Sequence, residues 1–149
     1  MSDVQWLSGG CRCGKVRYQG QISGRVHYCH CRMCQRAFGN IFATLVPMAI
    51  GTFRWLQGEP RWYQSSHIAR RGFCADCGTP LCFADAGETA HSFCIALGTL
   101  DHPELTPPVI HYGVESQMPW LNIADDLPRE RTEDSAEFMK LWQSGKSSA

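Results

Sequence analysis

The chain has 149 residues, 44% of them hydrophobic and 19% charged, with 14 basic and 14 acidic side chains in balance. That length fits one domain with a sizeable core of its own. The zero net charge argues against nucleic-acid binding, and no apolar run approaches the roughly 20 residues of a membrane span.

In chain order, short β-rich runs alternate with Gly- and Pro-rich breakers. Strands are predicted at 15–18, 26–29, 42–46, 52–55, 62–64, 71–73, 81–83 and 92–96. A short helix is predicted over 31–38. Residues 101–128, with "LDHPELTPPVIHYG" and "QMPWLNIADDLP", read as extended, loop-like chain laid over the domain. A second helix is expected at 135–143, capped by Asp134 with Glu137 three residues on. Its Phe138, Leu141 and Trp142 would share one face and pack on the sheet. The tail, 144–149, is expected to be disordered. No repeat or linker divides the chain, so 1–143 reads as a single domain.

The opening "MSDVQWLSGG" lacks a basic start followed by an apolar stretch, so a cytoplasmic chain with reduced thiols is expected. There, nine cysteines, seven of them in three clusters, point to metal or catalysis more than to disulfides. In "FCADCG", Cys74 and Cys77 have zinc-knuckle spacing and a glycine behind them that can take positive φ. A redox C-x-x-C would open a helix in a βαβ unit, and Pro80 with strand-like "LCF" follows instead. In "GGCRCG", Cys11 and Cys13 would face one side of a strand and offer two more sulfurs. Together the four make a closed, structural type of zinc site. Such sites in small fingers contribute roughly 10–16 kcal/mol of apparent binding energy.

"CHCRMC" holds Cys29, Cys31 and Cys34. Cys34 falls in the first turn of the predicted helix, where exposed N–H groups favour thiolate, and Arg32 and Arg36 add positive charge. Three thiolates on zinc leave a net charge of minus one and one open position, the mark of catalytic zinc. His30 points the wrong way on a strand to fill that position. Cys82, Cys94 or a distant histidine would instead close the site and make it structural. Cys82 and Cys94 themselves read as small buried hydrophobes. His27, His67, His91, His102 and His111 have no ligand-like spacing.

The ordered series "GGCRCGKVRY", "CHCRMCQRAFG", "YQSS", "RRGFCADCGTPL", "GTLDHP" and "PWL" resembles the glutathione-dependent formaldehyde-activating enzyme family, which includes centromere protein V. The resemblance runs from about residue 9 to 127. It implies a mainly β, β-tent fold: zinc-ribbon-like antiparallel sheets around zinc, with a short helix after the middle cluster. It implies two zinc ions per chain, one on Cys11, Cys13, Cys74 and Cys77, the other on Cys29, Cys31 and Cys34. It also implies a carbon–sulfur lyase-like reaction that joins glutathione to formaldehyde.

The expected partner is thus a small thiol or aldehyde. A thiol reaching the open position would lose its proton near neutral pH. Cys31 is the ligand expected to engage substrate most, and Arg32, Gln35 and Arg36 are candidates to meet its carboxylates. The competing expectation is a non-catalytic zinc module that binds a protein partner.

Overall fold

The computed structural model describes residues 5–86 and 92–146. Two sheets organise it. The smaller holds β1 (Trp6–Gly10), β2 (Arg17–Gln21) and β5 (Arg54–Gln57), antiparallel in the order β1-β2-β5. The larger holds eight strands. These are β3 (His27–Cys29), β4 (Ala43–Pro47), β6 (Arg61–Gln64), β7 (Ala69–Phe73), β8 (Pro80–Asp85), β9 (Phe93–Ala96), β10 (Ile110–Tyr112) and β11 (Arg129–Glu130). Their order is β11-β10-β3-β4-β9-β8-β7-β6.

Strand alternation gives the larger sheet two different faces. One cross-strand row runs Trp62, Gly72, Cys82, Ile95, Val46. It faces the smaller sheet, and Cys82, Ile95 and Val46 join Leu7, Val16, Tyr18, Met48, Leu81 and Leu100 in the main core. Tyr18, the largest fully buried side chain, shares its hydroxyl with Thr99 at 2.7 Å. The neighbouring row runs Tyr63, Arg71, Phe83, Cys94, Pro47 on the opposite face. There α1 (Arg32–Phe38) covers a second, smaller core of Cys34, Ala43, Leu45 and Cys94, with Cys29, Cys31 and Phe38 against it. The two cysteine groups therefore belong to two different cores.

The mainly β fold with a short helix after the middle cluster is as expected, with strand limits moved by one to three residues. Three strands were not anticipated. β1, "WLSGG", ends in two glycines, which weaken a strand signal. β10 and β11 lie in or just beyond the Pro-rich stretch read as loop. They are parallel to their neighbours, so β10 lies between β3 and β11 in a sheet that is otherwise antiparallel.

The second helix, α2 (Ala136–Lys146), runs past the expected Gln143, and residues 147–149 lie outside the described residues. Ser135, rather than Asp134, caps it: the Ser135 Oγ accepts the Phe138 N–H at 3.3 Å. Asp134 turns back to the Arg131 N–H at 2.8 Å and closes the preceding 3-10 turn. Leu141 is exposed, while Phe138 and Trp142 stack at 5.9 Å. Trp142 meets His67, beyond β6, with ring centroids 4.4 Å apart.

Candidate metal centres

Cys11 and Cys13 do not sit on a strand. They follow β1 in a tight turn closed by the Gly14 N–H on the Cys11 carbonyl at 3.1 Å. The Cys74–Cys77 turn repeats this, with the Gly78 N–H on the Cys74 carbonyl at 2.8 Å. Gly14 and Gly78 have φ of 82° and 79°. A Cβ on either would meet nothing within 4 Å, so their requirement is conformational, the left-handed region that L residues avoid.

The two turns bring four sulfurs together, all within 4.8 Å of one another. Cys11 and Cys13 are 3.5 Å apart, and Cys13 and Cys74 are 3.8 Å apart across 61 residues of chain. Tetrahedral zinc with Zn–S bonds of 2.3 Å needs sulfurs about 3.8 Å apart, so the cage fits that ion. Thr79 completes the surroundings. Its hydroxyl accepts the Arg12 N–H at 3.0 Å and lies 3.1 Å from the Cys77 sulfur. When Cys77 is a thiolate, the Thr79 hydroxyl is free to donate its hydrogen to the sulfur. The Thr79 side chain, helped by its backbone N–H, holds the Cys77 thiol down to about 5.

The second group forms where β3 meets α1. Cys29 ends β3, and Cys31 is the N-cap of α1, its sulfur accepting the Cys34 N–H at 3.3 Å. Cys29 and Cys31 are 3.4 Å apart, and all three sulfurs lie within 4.8 Å. They fit three corners of a tetrahedral site. Among the described residues no fourth Cys, His, Asp or Glu joins them. Cys34 is buried, while Cys29 and Cys31 are half-buried, so the cluster is reached from their side. Hydrogen bonds with Cys29 and Cys31 outweigh burial and, with the Arg71 charge, hold the Cys34 thiol down to about 3.

Arg71 was not foreseen. It sits on β7 and is only 6% exposed, and its Nη2 lies 3.5 Å from the Cys34 sulfur. The rings of Phe83 and Phe38 flank it at 5.0 and 5.7 Å. It is the buried cation at this cluster. Arg32 and Arg36, expected in that role, are exposed on α1. Gln35 is placed differently from expectation as well. It is 3% exposed, and its amide N–H groups donate to the His30 carbonyl at 2.6 Å and the Ser116 carbonyl at 2.9 Å. Arg32 donates to its amide oxygen. Gln35 holds two loops together and does not face outward.

His30 turns away from the sulfurs, as expected, into a buried chain. Its Nε2 meets the His111 Nδ1 at 2.9 Å, and the His111 Nε2 meets Asp125 at 2.9 Å. The carboxylate accepts only, so His111 carries a proton on Nε2; when His111 is neutral its Nδ1 accepts and His30 donates from Nε2. Burial, then the neighbouring His111, lowers the His30 pKa to about 4. Gly113 backs the site: a Cβ there would stand 2.9 Å from the Cys31 backbone nitrogen.

The remaining residues behave as simple packing. Cys82 and Cys94 are buried, and burial pushes both thiols up to about 12. His27, His67 and His102 pair with the Arg25 carbonyl, the Trp142 carbonyl and Glu104. His91 lies outside the described residues.

Residues 6–116 match the glutathione-dependent formaldehyde-activating enzyme family. The chain belongs to this family. The matched region holds all seven clustered cysteines and Arg71, and it ends before Asp125 and α2. A comparison with curated proteins found no match.

Proposed function

We propose that this chain is a two-zinc, carbon–sulfur lyase-like enzyme that joins a thiol to an aldehyde, with glutathione and formaldehyde as the pair. The observation that carries this reading is the three-sulfur cluster with no fourth ligand among the described residues, set in a family of formaldehyde-activating enzymes. A metal held there supplies a Lewis acid with room for one further ligand, which acidifies a thiol. The protein's own groups set the geometry around it. Cys34 is fixed from inside by Arg71, and Cys29 and Cys31 present the accessible edge. Cys31, at the start of α1, is our choice for the ligand beside the substrate. Arg32 and Arg36 face solvent on the same helix and suit the carboxylates of a peptide thiol. The Cys11, Cys13, Cys74 and Cys77 centre is structural in this reading, and the protein works as a single zinc-binding unit. Two thiolate-rich sites suit a reducing compartment, so we place it in the cytoplasm.

The test is NMR exchange between glutathione and formaldehyde, with and without the metal-loaded protein. Acceleration over the spontaneous rate is expected. Its absence with both metals bound sinks the enzyme reading and leaves a non-catalytic interaction module. Cys31→Ala should lose one metal equivalent and the activity while keeping the fold.

A further inference from the structure

Arg71 has a second, unused hand. Its Nη2 is spent on Cys34, but its Nη1 is buried without a hydrogen-bond partner. An unpaired charged donor inside a protein is costly. Arg71 also lines a cavity of about 160 Å³ between α1 and the β6–β7 hairpin, and among the described residues it is the only charged one in the wall. Ala37, Phe38, Tyr63, Phe73 and Pro80 supply apolar surface around it.

Size decides what such a space can take. Its volume is that of roughly five waters, well below the 300 Å³ or so of a typical small-molecule site. It accommodates one end of a ligand. A single cation with a free N–H in apolar walls selects a small anion, and a planar carboxylate matches the guanidinium fork.

We propose that this cavity is a carboxylate subsite, with Arg71 as its anchor, for the thiol that reaches the second metal centre. The inference rests on the thiol–aldehyde reading above and adds the feature of the thiol that is recognised. Arg71 links the two places, with its other nitrogen on Cys34; none of the second centre's three cysteines lines the cavity itself, so the chain between sulfur and carboxylate has to pass Cys34. Arg71 is thereby a binding residue.

The test titrates cobalt-loaded protein with 3-mercaptopropionate, 2-mercaptoethanol and propionate. Visible absorption reports a sulfur arriving at cobalt, and the side-chain 15N shifts of Arg71 report an anion there. 3-Mercaptopropionate should bind about ten- to a hundred-fold tighter than 2-mercaptoethanol. Propionate alone should move the Arg71 resonances. Ala37→Leu fills the cavity while keeping the Arg71 charge, so it should erase the preference and leave 2-mercaptoethanol binding intact. Arg71→Lys should keep part of the preference and Arg71→Met none. Equal binding of the two thiols with unmoved Arg71 shifts overturns the subsite. If instead no thiol perturbs cobalt while propionate still moves Arg71, the subsite stands as an anion site and the thiol–aldehyde reading fails.

Discussion

At Thr79 one hydroxyl serves two distant segments, receiving the Arg12 N–H and facing the Cys77 sulfur. Thr79→Val should let the Cys77 thiol rise from about 5 toward the ordinary thiol range. Zinc affinity at that centre should fall by about 10- to 100-fold in a competition titration against a chelator. Thr79→Ser should restore it, and equal affinity in all three proteins would show the hydroxyl to be idle. Gly78→Ala is a purely conformational change, since the added methyl has open space around it. It should cost about 1–2 kcal/mol in urea unfolding. The cysteines themselves were legible because ligand spacing is local: C-x-C and C-x-x-C each lie within one turn. Thr79 and Arg71 were not, because their partners are 67 and 37 residues away and come close only when the strands pair.

Among the elements, β10 shows what local patterns miss. It has three residues in a Pro-rich stretch, yet it places His111 behind the cysteine cluster. Its strand character comes from pairing with β3 and β11, which no local alternation reveals. Asp125→Ala leaves the buried His111 Nε2 without its acceptor and should cost about 1–3 kcal/mol. His30 lies between Cys29 and Cys31, so metal should leave the second centre faster in this variant and the first centre no faster. A colorimetric metal-release assay separates the two. Elsewhere Arg17 on β2 grips Asp101 through two bonds of 2.9 and 2.6 Å. Hydrogen bonding to Arg17 holds the Asp101 carboxyl below its usual range, against a small cost of burial. A lowered folded pKa means stability present at neutral pH and lost as pH falls below about 4. Both groups are partly exposed, so Asp101→Asn should remove no more than about 1 kcal/mol at pH 7, and the difference should shrink as pH falls through the lowered Asp101 pKa. An unchanged acid-unfolding curve in the variant would contradict this. The α1 helix was readable from its cluster, whereas the α2 cap shifted by one residue because Asp134 had a nearer N–H to satisfy.

For the molecule as a whole, the two centres are expected to matter in different ways. The first ties residues 61 positions apart, and its Cys11 and Cys74 are part of the main core beneath the smaller sheet. The second is a local loop-to-helix group over the smaller core. Stripping all metal with a chelator should therefore lower the melting temperature sharply, and Cys74→Ser should reproduce most of that loss. Cys31→Ser should release one metal equivalent with a much smaller shift. Calorimetry beside a metal count tests this, and a larger loss from Cys31→Ser would reverse the assignment.

Housing the two cysteine groups in separate apolar clusters has a consequence for how such a chain diverges. Substitutions around residues 29–34 repack only the smaller cluster, so mutational drift there can retune or abolish chemistry while the strand framework survives. Changes at Cys11, Cys13, Cys74 or Cys77 put the framework itself at risk. Descendants of one ancestor would then keep a shared scaffold long after their reactions had parted, and the same partition marks residues 29–38 as the segment to randomise in a search for new activity.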